Sequence, residues 1–152
     1  MQHVPLNVAG KVVELGAGTG AITRALLRHG VPPPKLIVVE RSRLLANQLR
    51  RRYPRISVVE GDAAHLTRYL ESQPVRAVVS GLPLRSLPLA TVRMIMSSVE
   101  AALAPGGMFI QFTYNLRAPV AELPKHFSKV ASNIVWRNIP PARIDAFVIR
   151  QR

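Results

Sequence analysis

The chain contains no cysteine, few aromatic residues and only eight acids. Without cysteine there are no disulfides, thiolate zinc sites or cysteine nucleophiles, and a reducing, cytoplasmic setting fits. No metal is expected. Aromatics make up 5% of the residues, so rings for stacking on a planar ligand are scarce. No apolar run reaches the ~18 residues that a spanning helix needs. The opening MQHVPLNVAG has neither a basic n-region nor an apolar h-region, so no signal peptide is expected. No low-complexity tract occurs, and a hydrophobic fraction of 48% supports an ordered core. The length of 152 residues suits one α/β domain over 1–152 and is short for two.

Charge is the strongest feature that is present. Lys and Arg number 21, giving a formal net charge of +13 and an attraction to polyanions, either nucleic acid or anionic lipid surfaces. Four of the eight acids, Glu14, Glu40, Glu60 and Asp62, fall at or just after apolar runs that read as strands. Those runs are 11–15, 36–40, 56–60, 75–81 and 108–114, and they alternate with helical patterns at 21–29, 42–53, 63–72 and 88–103. Gly30 reads as a helix C-cap and Ser42 as an N-cap. Residues 126–150 suggest a last hairpin turning at 138–143. The expected fold is a Rossmann-like, doubly wound, mostly parallel sheet of about seven strands, with helices on both faces and a C-terminal antiparallel hairpin. In such a sheet the ligand lies at the carboxyl ends of the strands, where the acids gather.

The stretch VVELGAGTG places three glycines at alternate positions after an apolar run, with Glu14 two residues before the first. GAGTGA (16–21) satisfies the dinucleotide pattern, and Glu40 lies near the expected spacing. Charge separates the ligand classes. A dinucleotide puts a pyrophosphate on the turn, and a carboxylate at the end of the preceding strand repels it. S-adenosylmethionine has no phosphate and presents an α-ammonium and a sulfonium, which an anionic Glu14 attracts. Glu40 can then accept both ribose hydroxyls. Asp62 can accept from the adenine amino group, and the Ala63 N–H can meet a ring nitrogen.

ELGAGTG, VVE and EGDA together resemble the three motifs of the class I S-adenosylmethionine-dependent methyltransferases. The resemblance covers nearly the whole chain. It implies a cofactor site built from Glu14, Leu15, Gly16, Ala17, Gly18, Thr19, Gly20, Glu40, Arg41, Gly61, Asp62, Ala63 and Ser80.

The methyl acceptor is expected beside VVSGLPLRSLP (78–88). Methyltransferases acting on nucleobase amines carry Asn or Asp here, then x-Pro and an aromatic that stacks on the base. In this chain Gly81 takes the place of the polar residue and Leu84 that of the ring. That departure argues against the rRNA adenine dimethyltransferases, and makes nucleic acid the less favoured partner. SGLPL, PGGMFIQFTYN (105–115) and NIPPA (138–142) instead resemble the soluble bacterial phosphatidylethanolamine N-methyltransferases. This second resemblance implies methyl transfer to a phospholipid headgroup amine, towards phosphatidylcholine, by a protein peripherally attached to the inner face of the membrane. No obligate protein partner is evident.

Carbonyls around Ser80, Gly81 and Leu82 can accept from the amine. Tyr114, where the family has an aromatic, can orient it or relay its proton. Arg85 and Arg117 follow strand ends on the ligand side and can bind the lipid phosphate. His126 reads as incidental. Family members carry some tens of residues before the first strand, whereas here that strand starts near Lys11, so the family's N-terminal cap and membrane helix are expected to be missing. The competing functions are an rRNA adenine N-methyltransferase, a catalytically silent binding module and a nicotinamide-dependent oxidoreductase.

Overall fold

The computed structural model describes residues 4, 9–114, 116, 123–135 and 141–149. Its centre is a seven-stranded sheet. The strands are β1 (Lys11–Leu15), β2 (Leu36–Glu40), β3 (Ser57–Glu60), β4 (Val75–Ser80), β5 (Leu103–Thr113), β6 (Phe127–Val135) and β7 (Ala142–Ile149), in the order β3-β2-β1-β4-β5-β7-β6. The first five run parallel, while β7 is antiparallel to both of its neighbours. The order reverses between β1 and β4, so the crevice at their carboxyl ends is the topological switch point.

Among the described residues three α-helices cover the sheet: α1 (Ala21–His29), α2 (Arg43–Arg52) and α3 (Leu89–Ala102). Strand side chains alternate between faces, which gives two cores. On one face Val12 and Val38 pack with Ile22 and Leu26 of α1 and Leu49 of α2. On the other, Val13, Val78, Phe109 and Phe147 pack with Ile95, Met96 and Val99 of α3. Each fully buried Leu or Phe contributes ~1.5–3 kcal/mol. The caps follow the sequence. Gly30 closes α1 in a left-handed conformation, its N–H bonding the Leu26 and Leu27 carbonyls. Ser42 accepts from the Leu45 N–H at the start of α2, and Arg50, Arg51 and Arg52 sit in its last turn, where the helix dipole favours cations.

Two expectations are corrected. The helix anticipated at 63–72 is a 3-10 segment, Ala63–Tyr69, kinked at His65. Tyr69 turns back so that its hydroxyl accepts from the Asp62 N–H at 3.2 Å, which a continuing α-helix would prevent. The last parallel strand starts at Leu103 and takes in PGG, with a register irregularity against β4. The final pair is antiparallel as anticipated, but its second strand is the inner one: β7 inserts between β5 and β6. Residues 138–140 of the anticipated turn at 138–143 lie outside the described residues.

Candidate active site

The glycine turn leaves β1 at the switch point. Gly16, Gly18 and Gly20 have φ of 69°, 56° and 86°, left-handed values that other residues adopt at a cost. Gly16 donates to the Val39 carbonyl at 2.9 Å, and Gly20 donates to that of Ala17 at 2.9 Å. A Cβ on Gly18 would meet nothing within 4 Å, so the turn faces an open crevice there. Thr19 is exposed, and Leu15 and Ala17 are buried.

The acids surround this turn. Glu14 is 0% exposed, and its Oε2 accepts from the Thr23 hydroxyl of α1 at 2.6 Å. Its Oε1 is buried without a hydrogen-bond partner. Burial, with a smaller push from the Glu40 charge, outweighs the hydrogen bonds from Thr23 and raises the Glu14 pKa from 4.5 to about 7. The anionic Glu14 expected from the sequence is therefore half protonated at neutrality in the ligand-free protein. Glu40 uses Oε2 to accept from the Gly18 N–H at 2.9 Å and Oε1 to accept from the Ser42 N–H at 2.8 Å, so it fixes the turn as well as ending β2. Carboxylate oxygens carry further lone pairs, which leaves capacity for a diol. Arg41 beside it is exposed. Gly61 donates to the Glu40 carbonyl at 3.1 Å and packs against Tyr69. Asp62 Oδ1 accepts from the Ala64 N–H at 2.9 Å, and Ala63 is buried next to it.

Beyond β4, Ser80 is buried and its hydroxyl accepts from the Leu82 N–H at 3.3 Å. Gly81 donates to the Leu15 carbonyl at 2.9 Å. Gly81 and Leu82 form a partition. A Cβ on Gly16 would lie 2.4 Å from Leu82 Cδ2, and a Cβ on Gly81 would lie 2.9 Å from the Gly16 carbonyl. On the far side of this partition is a cavity of ≈ 360 Å³. Leu84, Phe109 and Phe147 give it apolar walls, and Arg85, Tyr114 and Arg143 bring polar groups to it. Tyr114 is 51% exposed, and Arg85 is exposed. Arg117 lies outside the described residues. His126 is 4.0 Å from Glu100, away from this cavity's lining.

The sequence reading passed over three residues that line the cavity. Gln111 is a lone amide in the apolar run MFIQFTY, and that isolation was the available signal. Its Nε2 donates to the carbonyls of Leu82 at 2.9 Å and Phe112 at 2.7 Å. Asp145 interrupts another apolar strand. It is 1% exposed and accepts from Ser132 at 2.6 Å, Lys129 at 2.8 Å and Arg143 at 2.8 Å. Burial alone would raise its pKa, but those hydrogen bonds and the charges of Arg143 and Lys129 lower it below the usual carboxylate value. Arg143 is thereby held at the cavity, where the sequence had pointed to Arg85 and Arg117.

A glycine turn at the switch point, ringed by strand-end carboxylates that disfavour a pyrophosphate and set beside an amphipathic cavity, is the arrangement of an α/β group-transfer enzyme with a cationic nucleotide donor. Glu14 Oε1, a buried acceptor lacking a partner, fits a ligand that brings an ammonium. A family profile described as "Methyltransferase domain" matches residues 12–107, and the chain belongs to this family, as a class I S-adenosylmethionine-dependent methyltransferase. Among its relatives is the ornithine lipid N-methyltransferase of Singulisphaera acidiphila, 36% identical over 148 residues, covering 93% of this chain and 77% of that protein. Another is the ribosomal RNA small subunit methyltransferase A of a Synechococcus species, 43% identical over 75 residues, which cover 47% of this chain and 24% of that protein. The fold is shared with the N-methyltransferase NodS from Bradyrhizobium japonicum, solved with S-adenosylhomocysteine, at a TM-score of 0.74 and 17% identity, covering 94% of this chain and 80% of that one.

Proposed function

We propose that the protein transfers methyl groups from S-adenosylmethionine to the headgroup amine of a membrane lipid. The observation that carries this is the cavity beyond Gly81. It is walled by aliphatic and phenylalanine side chains, has guanidinium groups at Arg85 and Arg143, and takes no stacking ring from the segment after β4. Apolar walls suit a lipid stem, and guanidinium suits the anionic part of a zwitterionic headgroup. Phosphatidylethanolamine and an ornithine lipid both present this combination of amine and anion; the Singulisphaera relative supports the second. In the cofactor site, Glu14 would hold the α-ammonium, Glu40 the ribose and Asp62 with Ala63 the adenine. The bound cofactor supplies an electrophilic methyl group. The residues at the partition contribute proximity and alignment of the amine, a source of up to ~7–11 kcal/mol of barrier reduction.

The surface beside the cavity supports a membrane approach. Residues 72–99 contain no acid. From this segment Arg85 and Arg93 are exposed, together with Leu89 at 60% and Met94 at 54%. Each basic residue near an anionic bilayer contributes ~1 kcal/mol. Among the described residues no helix is long and apolar enough to cross a membrane. The test is incubation with labelled methyl donor, mixed bacterial lipid and RNA. Label extracted with the lipid supports the proposal. Label retained only in RNA refutes it and favours the rRNA reading, which the Synechococcus relative and the +13 charge would then explain.

A further inference from the structure

We infer that Tyr69 is a positioning residue for the base of the methyl donor: its hydroxyl fixes the turn after β3 so that Asp62 and Ala63 select adenine. The inference rests on the cofactor reading above, which gives Asp62 and Ala63 to the adenine, and deepens it. It does not depend on the acceptor. Asp62 is tied into its turn through three groups. Its N–H donates to the Tyr69 hydroxyl at 3.2 Å, its carbonyl accepts from the His65 N–H at 2.9 Å, and its Oδ1 accepts from the Ala64 N–H at 2.9 Å. The turn makes no use of Oδ2, which can accept from an amine brought by the ligand. Two of the three ties come from the next three residues. Tyr69, seven positions on, supplies the third from across the turn.

The tyrosine is specified by its surroundings. The kink at His65, with φ of −113° and ψ of 25°, turns the ring back over Gly61. A Cβ on Gly61 would lie 2.6 Å from both Tyr69 Cζ and the hydroxyl oxygen. Gly61 does not have the left-handed φ of the glycines in the turn after β1, so backbone conformation does not call for glycine here. The ring does, because it fills the space a side chain would take. Behind Gly61 the ring packs against the core shared with α3, which holds the hydroxyl in place. The Gly61 N–H donates to the Glu40 carbonyl at 3.1 Å, so the turn is also fixed against the residue assigned to the ribose.

Adenine presents an amino donor at C6 beside an acceptor at N1. Asp62 Oδ2 and the Ala63 N–H are the complementary acceptor and donor. Hypoxanthine reverses both groups, setting oxygen against the carboxylate and N–H against N–H. Such a mismatch is penalised only as far as the turn cannot move to relieve it. Without the Tyr69 hydroxyl the Asp62 N–H loses its partner in a partly buried turn, and the turn shifts to recover one.

The experiment is calorimetry at pH 7.5 with S-adenosylhomocysteine and with S-inosylhomocysteine, its 6-oxo counterpart, the weaker ligand being measured by displacement. The wild type is expected to prefer the adenine ligand by at least about a hundredfold. In Tyr69→Phe, which keeps the ring and removes the hydroxyl, that preference should shrink by about threefold to tenfold, chiefly through weaker binding of S-adenosylhomocysteine. Gly61→Ala displaces the ring and should shrink the preference likewise. General loosening of the site weakens both ligands together and leaves the ratio unchanged, so an unchanged ratio in folded Tyr69→Phe overturns the inference. Should that variant fail to fold, Gly61→Ala decides by the same ratio. A wild type that binds the two ligands equally refutes the assignment of Asp62 and Ala63 to adenine and takes this inference with it. A preference kept by wild type and variants alike leaves that assignment standing and overturns the role of Tyr69 alone.

Discussion

Replacing Glu14 by Gln tests the electrostatic logic of the cofactor site. Raising the carboxyl pKa from 4.5 to about 7 corresponds to about 3 kcal/mol disfavouring the buried carboxylate over the acid. The folded state prefers the protonated form, so the wild type has no penalty below pH 4.5, loses stability as pH rises, and reaches the full loss above pH 7. Gln cannot ionise. Its oxygen can still accept from Thr23, and any fixed cost of its NH₂ is the same at every pH. The difference in stability between the two proteins should therefore shift by about 3 kcal/mol in favour of Glu14→Gln between pH 4.5 and 8, roughly 6–12 °C in relative melting temperature.

Ligand binding should show the opposite preference. If the α-ammonium of S-adenosylhomocysteine pairs with the carboxylate, binding requires Glu14 to release its proton. Between pH 5.5 and 7, where the ligand's ammonium keeps its own proton, wild-type affinity measured by calorimetry should fall with decreasing pH, roughly fivefold from pH 7 to 6 and approaching tenfold per unit below that. The Glu14→Gln profile should be flat and weaker at pH 7.5. Parallel profiles for the two proteins, or equal affinities at pH 7.5, would refute the assignment of Glu14 to the ammonium.

Further outcomes follow from the same geometry. Gly16→Ala introduces a Cβ 2.4 Å from Leu82 at a φ of 69°, so calorimetry should show at least tenfold weaker S-adenosylhomocysteine binding, with a loss of ~1–2 kcal/mol of stability from the backbone alone in chemical unfolding. Glu40→Ala removes the acceptor of the Gly18 and Ser42 N–H groups, and should weaken S-adenosylhomocysteine binding without abolishing the fold, as read by calorimetry and circular dichroism. Asp145→Ala removes the buried acceptor shared by Ser132, Lys129 and Arg143, while Arg143 keeps the Leu116 carbonyl and Lys129 can reach solvent, so urea unfolding should show a loss of about 1–3 kcal/mol. Because the Asp145 pKa is lowered, its contribution is full above pH 3.8 and is lost as pH falls through the folded value; the gap between wild type and Asp145→Ala should narrow in acid melts.

The sequence by itself determined the turn, the acids and the order of elements. GAGTGA needs left-handed backbone and supplies glycine for it, the central strands β2 and β4 are near-continuous apolar runs because both their faces are covered, and caps at Gly30 and Ser42 close the helices locally. These are short-range effects, and residues a few positions apart carry them. Tertiary structure decided the rest. Glu14 looks like an exposed charge in a one-dimensional pattern, and only α1 packing over β1 strips it of water and moves its pKa. Gln111 looks like an ordinary strand residue until the carbonyls of Phe112 and of Leu82, 29 positions away, take its amide hydrogens and leave one oxygen over. Arg143 reaches the cavity because β7 inserts between β5 and β6, and Asp145 then holds it. Desolvation and hydrogen-bond satisfaction depend on which groups meet in space, and no local pattern in the chain encodes those meetings.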